Sequence, residues 1–259
     1  MKIGLFIPCY VDQLRPEVGM AVVRLFDALG LEFDFPEDQT CCGQPFVSAG
    51  EQALAARLGR RYVDVFADYD VVVTPSGSCA ANVRRHLPQL VSGDRAEETA
   101  AKTRELCEFL LESQDPRRLA GRFPRKVGLH ASCHALRELR HGRPSESRGP
   151  ERVDPARKLL AGLAGIELVP LARRDECCGF GGLFSVEEEA VSCRMGQDRL
   201  ADHQRAGAAV LTSTDVSCLL QLEGLARRQG SPLEFLHVAE ILAASLPALP
   251  ITEVIDGPR

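Results

Sequence analysis

Eight of the ten cysteines fall into two series of one form: Cys9, Cys41-Cys42-Gly43 and Cys79, then Cys133, Cys177-Cys178-Gly179 and Cys218. The steps are 32, 1 and 37 residues in the first series and 44, 1 and 40 in the second. An internal repeat of this kind constrains the chain to two copies of one folding unit. The second copy is 12 residues longer before its cysteine pair. The segment from His141 to Arg152, rich in Gly, Pro, Ser and charge, is the expected home of that insertion.

The hydrophobic pattern repeats with the cysteines. In the first half, short apolar strands are expected at Ile3–Ile7, Leu31–Phe35 and Val71–Thr74. Helices are expected from Pro16, a good first-turn residue, to Gly30, from Ser48 to Ala67, from Ala80 to Leu87 and from Ala96 to Glu112. The second half predicts strands at Lys126–Leu129, Ile166–Val169 and Ala209–Thr212. Its helices are expected over Asp154–Ala164 and Glu187–Ala206, with further helices to about Ser245. Alternation of strand and helix means a parallel sheet covered by helices. The expected fold is therefore α/β, with two tandem pseudo-symmetric Rossmann-like lobes at residues 1–120 and 121–259, joined between Asp115 and Pro124.

Within this frame Cys9, Cys79, Cys133 and Cys218 each follow a strand and precede a helix. Sites in open parallel sheets form at that carboxyl edge, where helix amino termini favour thiolates. The tandem pairs belong in loops, because adjacent residues of a strand point to opposite faces. Gly43 and Gly179 then supply the freedom for a tight turn.

The chain has 259 residues, 31 basic and 36 acidic, for a net charge of -5, so no nucleic-acid surface is expected. No apolar run reaches the roughly 18 residues of a membrane span, and the start, Met1 to Pro8, is too short for a secretory core. A cytoplasmic protein is expected, and cysteines in a reducing compartment serve metal binding or redox chemistry more often than disulfides. Cys107, inside a helical run, and Cys193 read as packing residues. The other eight read as ligands. Zinc usually takes pairs spaced C-x2–4-C, which neither half contains. Two sets of four thiolates suit up to two iron-sulfur clusters, each set being sufficient for a [4Fe-4S] centre. The rivals are a thiol-disulfide oxidoreductase cycling a cysteine pair and a structural or regulatory zinc protein.

The runs Phe6-Ile-Pro-Cys-Tyr10, Cys41-Cys-Gly-Gln-Pro45, Ser76-Gly-Ser-Cys-Ala80, His130-Ala-Ser-Cys-His134 and Cys177-Cys-Gly-Phe-Gly181 resemble the duplicated cysteine-rich (CCG) domain proteins, above all the lactate utilization protein A family. Such proteins are similar to the cysteine-rich subunit of heterodisulfide reductase and to part of the glycolate oxidase iron-sulfur subunit. The resemblance spans nearly the whole chain. It implies an iron-sulfur, electron-transfer subunit of an oxidoreductase complex that converts L-lactate or a related 2-hydroxy acid to pyruvate. It also implies that the chain is active only with other lactate utilization proteins, subunits of the B and C type. The heterodisulfide reductase pattern ends each repeat in C-x-x-C, whereas this chain has Asn82 after Cys79 and Gln221 after Cys218. Ligation by Cys9, Cys41, Cys42, Cys79 and by Cys133, Cys177, Cys178, Cys218 is the resulting expectation.

Beside Cys133, Arg137 is a candidate for holding a substrate carboxylate and His134 for taking the hydroxyl proton. Equally, His134 bonds locally and Arg137 sits on a solvated helix face. His130 is read as a core residue closing its strand. The run Gly179-Phe-Gly-Gly182 lacks G-x-G-x-x-G spacing and is read as the loop wrapping the second pair, not as a dinucleotide fingerprint.

Overall fold

The computed structural model describes residues 1–246; the end of the expected second lobe, residues 247–259, lies outside the described residues. The first half runs β1 (Ile3–Leu5), α1 (Cys9–Leu14), α2 (Pro16–Leu29), β2 (Phe33–Asp34), α3 (Gln44–Ser48), α4 (Gln52–Phe66), β3 (Val71–Thr74), α5 (Gly77–Leu90), α6 (Asp94–Ala101), β4 (Thr103–Glu105) and α7 (Leu106–Ser113). After a short 3-10 turn, the second half runs β5 (Lys126–Leu129), α8 (Cys133–Arg137), α9 (Pro155–Ala161), β6 (Glu167–Leu168), α10 (Phe184–Glu187), α11 (Glu189–Arg205), β7 (Val210–Ser213), α12 (Val216–Arg228), β8 (Glu234–His237) and α13 (Val238–Ser245). Each half builds one four-stranded sheet, β2-β1-β3-β4 and β6-β5-β7-β8, and every pairing is parallel. Two pseudo-symmetric α/β lobes are thus present.

The strands Val71–Thr74 and Lys126–Leu129 lie where their continuous apolar runs predict. The helix from Pro16 ends at Gly30, whose φ of 64° satisfies the left-handed cap. Three expectations are corrected. The helix expected from Ser48 to Ala67 is broken between α3 and α4, where Gly50 turns with φ 78°. The helix expected from Ala96 to Glu112 hides β4, and the helical tail to Ser245 hides β8. Both edge strands are short and run directly into capping boxes, Glu105 with Glu108 and His237 with Glu240, leaving no turn residue to announce them. The insertion from His141 to Arg152 is irregular, as expected.

One apolar core runs through both halves, joining Leu5, Leu25 and Phe26 to Leu106, Leu110, Leu129, Leu160, Val210 and Ile241. Helix α2 packs on α13, and α7 on α9. Cys107, fully buried in this core, is a packing residue. A buried carboxylate completes the junction. Asp215 accepts hydrogen bonds from the Ser76 hydroxyl at 2.8 Å, the Ser78 hydroxyl at 2.7 Å and the Ser78 amide at 3.0 Å. One half thereby caps the helix that carries Cys79 of the other.

Candidate functional site

The parallel topology brings four thiols together at the carboxyl edge of each sheet. In the first half Cys9 opens α1 behind β1, Cys79 lies in the first turn of α5 behind β3, and Cys41-Cys42 occupy the loop between β2 and α3. The Cys9 and Cys41 sulfurs are 3.6 Å apart, and those of Cys42 and Cys79 are 3.2 Å apart. The second half places Cys133 at the start of α8, Cys218 in the first turn of α12 and Cys177-Cys178 in a loop. Gly43 and Gly179 turn with φ 89° and 85°. Each donates its amide N–H, at 3.4 Å, to the first sulfur of its pair.

These contacts concentrate negative charge on one sulfur per half. Thiol donation from Cys42 and Cys9, reinforced by the Gly43 amide, draws the Cys41 pKa down to about 3. Donation from Cys133 and Cys178, with the Gly179 amide, draws Cys177 down to about 2. The donating thiols are pushed up in return. Cys42, Cys79, Cys178 and Cys218 are buried, while Cys9, Cys41, Cys133 and Cys177 are half-buried, so each group has a shielded side and a solvent-facing edge.

The departures at Asn82 and Gln221 acquire a structural account. Asn82 donates to the Cys42 carbonyl at 2.8 Å. Gln221 donates to the Ser192 hydroxyl at 2.9 Å, which in turn donates to the Gly179 carbonyl at 2.8 Å. Both amides brace the cysteine-pair loop from the helix that carries the last cysteine.

The halves meet over the first thiol group. Phe180 and Ser217 close a cleft lined by Cys9, Cys41, Cys42 and Cys79, and Phe180 packs edge-on against Tyr10 with ring centroids 5.7 Å apart. The Gly179–Gly182 loop therefore also leans on the first site. His134 lies beside Cys133, its Nδ1 3.6 Å from the sulfur, and its Nε2 is 3.3 Å from Gln44 Nε2 of the first half. Arg137 is bound to Glu146 at 2.8 and 3.2 Å.

The wall behind each thiol group differs between the halves. Gly43 faces Ala55 and Leu58 as Gly179 faces Ser192 and Met195, which sets Tyr62 against Arg199 and Phe66 against His203 in the two halves. Counting back from Cys9 and Cys133 sets Phe6 against His130. Phe6, Tyr62 and Phe66 form an aromatic cluster, with Phe6 5.2 and 5.6 Å from the other two rings. In the second half Arg199 Nε donates to His130 Nδ1 at 3.1 Å, and both side chains are buried. Burial and the adjacent guanidinium push the His130 pKa down to about 3. A ring nitrogen of His130 and the sulfurs of Cys178 and Cys218 lie within 4.8 Å of one another. The polar wall was not anticipated from the residues taken singly; comparing the halves position by position exposes it.

The donor set suits an iron-sulfur centre, since four thiols converge in each half with a backbone N–H on the first sulfur of each pair. The 3.2 and 3.6 Å sulfur separations in the first half are instead close to the roughly 3.8 Å edge of a tetrahedron around a single metal with bonds of about 2.3 Å, and a [4Fe-4S] centre, which gives each thiolate its own iron, would need these thiols to spread apart.

Comparison with known proteins follows the repeat. The cysteine-rich domain family, CCG, matches residues 3–84 and 127–223. A Lactate utilization protein A of Geobacillus kaustophilus is 39% identical over 249 residues, covering 94% of this chain and 99% of that protein. Another from an Exiguobacterium species is 38% identical over 248 residues, covering 93% and 96%. Among solved structures, a glutamate racemase from Francisella tularensis bears a distant likeness, with 12% identity, a TM-score of 0.38 and coverage of 94% of this chain and 78% of that one.

Proposed function

The chain belongs to the cysteine-rich (CCG) domain family, and from that premise we propose that it is the iron-sulfur subunit of a complex oxidising L-lactate, or a related 2-hydroxy acid, to pyruvate. The observation that carries this reading is the convergence of four thiols in each half at the carboxyl edge of its sheet. Residues 1–120 and 121–259 are taken as one functional lobe each. Cys9, Cys41, Cys42 and Cys79 would hold one centre, and Cys133, Cys177, Cys178 and Cys218 a second. Such centres, when bound, supply one-electron steps.

The chain's own residues supply the rest. The amides of Gly43 and Gly179 steady the thiolate of each pair, and Asn82 and Gln221 keep the loops in register. Conversion of a 2-hydroxy acid to a 2-oxo acid releases two electrons and two protons. On this reading His134, beside Cys133, would take the hydroxyl proton, and Arg137 would hold the carboxylate once it leaves Glu146. Partner subunits, the other lactate utilization proteins of B and C type, would complete the two-electron chemistry. A cytoplasmic location agrees with this reading, and no helix among the described residues is long and apolar enough to cross a membrane.

A second reading, a single zinc ion in each thiol group, is favoured by the close sulfur spacing. Iron and acid-labile sulfide analysis of anaerobically prepared protein separates the two. Brown protein carrying iron and sulfide in equal amounts is expected; stoichiometric zinc without sulfide would leave the zinc reading standing. Lactate oxidation with an artificial one-electron acceptor, measured with and without the B- and C-type proteins, is expected only in the full mixture.

A further inference from the structure

We propose that His130 serves the second thiol site as a hydrogen-bond donor to its sulfurs when the centre is bound, not as one of its ligands, and that it makes the two sites electronically unequal. The inference rests on the iron-sulfur reading for its redox consequence, and on the side-chain network alone for the direction of the hydrogen bond.

Arg199 decides the tautomer. A guanidinium keeps its protons, so the 3.1 Å contact between Arg199 Nε and His130 Nδ1 has one possible direction, with the arginine donating. The Nδ1 lone pair is then engaged, and the single proton of a neutral imidazole sits on Nε2. Nε2 is buried and has no hydrogen-bond partner among the described residues. A ring nitrogen of His130 lies within 4.8 Å of the sulfurs of Cys178 and Cys218, and with Nδ1 engaged by Arg199 the nitrogen left to serve them is Nε2. Metal ligation through Nε2 would require an imidazolate or the release of Arg199, and Arg199 is firmly held. Its Nη1 donates to the Arg173 carbonyl and to Asp202 Oδ2 at 3.3 Å. Asp202 is itself pinned by the amides of Ala172 at 3.2 Å and Arg173 at 3.0 Å.

The first half has nothing equivalent. Phe6 replaces His130, and the Tyr62 hydroxyl is engaged by Thr103 at 3.0 Å. An N–H aimed at thiolate sulfur stabilises the more negative, reduced state of a centre, and a buried cation behind it adds to the effect. The second site therefore has the higher potential, and electrons run from the first half toward the second.

Two measurements test this. In the chain labelled with 15N-histidine, NMR should find His130 protonated at Nε2; a proton at Nδ1 would overturn the proposal whether or not iron binds. In iron-loaded protein, a Cys42→Ser background leaves the second site to be titrated alone by EPR. There His130→Phe should keep its iron and lower the reduction equilibrium constant about tenfold, ~59 mV for one electron. His130→Gln, which retains an N–H but no imidazole lone pair, should keep both iron and a potential near that of His130. Loss of iron from His130→Gln would make His130 a ligand, and an unchanged potential in His130→Phe would remove the tuning; either result overturns the proposal. Protein that takes up no iron and sulfide at all would instead overturn the functional reading, leaving the NMR result to decide the hydrogen bond.

Discussion

The two halves share strand order, cysteine order and loop bracing, yet they surround their thiols with opposite materials. The first backs Cys42 and Cys79 with Phe6, Tyr62 and Phe66, while the second sets His130 beside Cys178 and Cys218 with Arg199 bound behind it and His203 where the first has Phe66. A duplicated scaffold can preserve ligand geometry through its loops and vary the electrostatics through three inward-facing positions. The edge strands show the same divergence. Glu105 and His237 occupy corresponding caps at the ends of β4 and β8, each buried and each boxed with a glutamate three residues on.

The largest expected effect tests whether the halves hold separate sites. Cys42→Ser and Cys178→Ser should each remove about half of the bound iron and leave the other half spectroscopically unchanged. Loss of all iron from either variant would show one shared centre and break the comparison at its root.

Next in size is the junction. Asp215→Asn keeps the shape but weakens the acceptor bonds to Ser76 and Ser78, so unfolding in urea should shift by about 2 kcal/mol. Two separated transitions in place of one would indicate that the shared core alone does not couple the lobes.

The capping residues predict opposed pH dependences. Burial raises the Glu105 pKa to about 7, above its ordinary value of 4.5, so its contribution to stability is full below about pH 4.5 and is lost as pH rises through 7. Burial lowers His237 to about 4 from 6.5, so its contribution is full above about pH 6.5 and is lost as pH falls toward 4. Between these limits the slopes oppose each other. Glu105→Gln should make stability rise more steeply with pH over about 4.5–6.5, and His237→Gln should make it rise less, each by at most about 1.4 kcal/mol per pH unit. Chemical denaturation across that range measures both; parallel shifts in the two variants would contradict the assignment.

The smallest effect concerns the cysteine outside the repeat. Cys107→Ser should leave iron and sulfide unchanged and cost about 1–2 kcal/mol, because a hydroxyl replaces a buried thiol in the core. Loss of iron would place Cys107 in a site.

Much of the architecture was legible in the chain itself. The repeated cysteine pattern implied two like units, and apolar runs such as Val71–Thr74 marked their inner strands, because burial on both faces of a parallel sheet demands continuous hydrophobicity. Strands β4 and β8 were not legible, since a short edge strand entering a helix without a turn residue has no period of its own to display. The loop positions of Cys41-Cys42 and Cys177-Cys178 followed from side-chain alternation and from the glycines after them. What holds those loops did not follow, because Asn82 and Gln221 are recognisable as braces only once their partners are near.

By itself, then, the sequence determined the duplication, the parallel α/β lobes and the placing of four thiols behind strands and four in loops, all of which depend on local pattern and spacing. The tertiary structure decided what each thiol group faces. His130 and Arg199 stand 69 residues apart and meet only when α11 packs beneath β5, and it is that contact which fixes where the imidazole carries its proton. A residue type and its position can nominate a ligand, but which nitrogen is free to act is set by whatever binds the other.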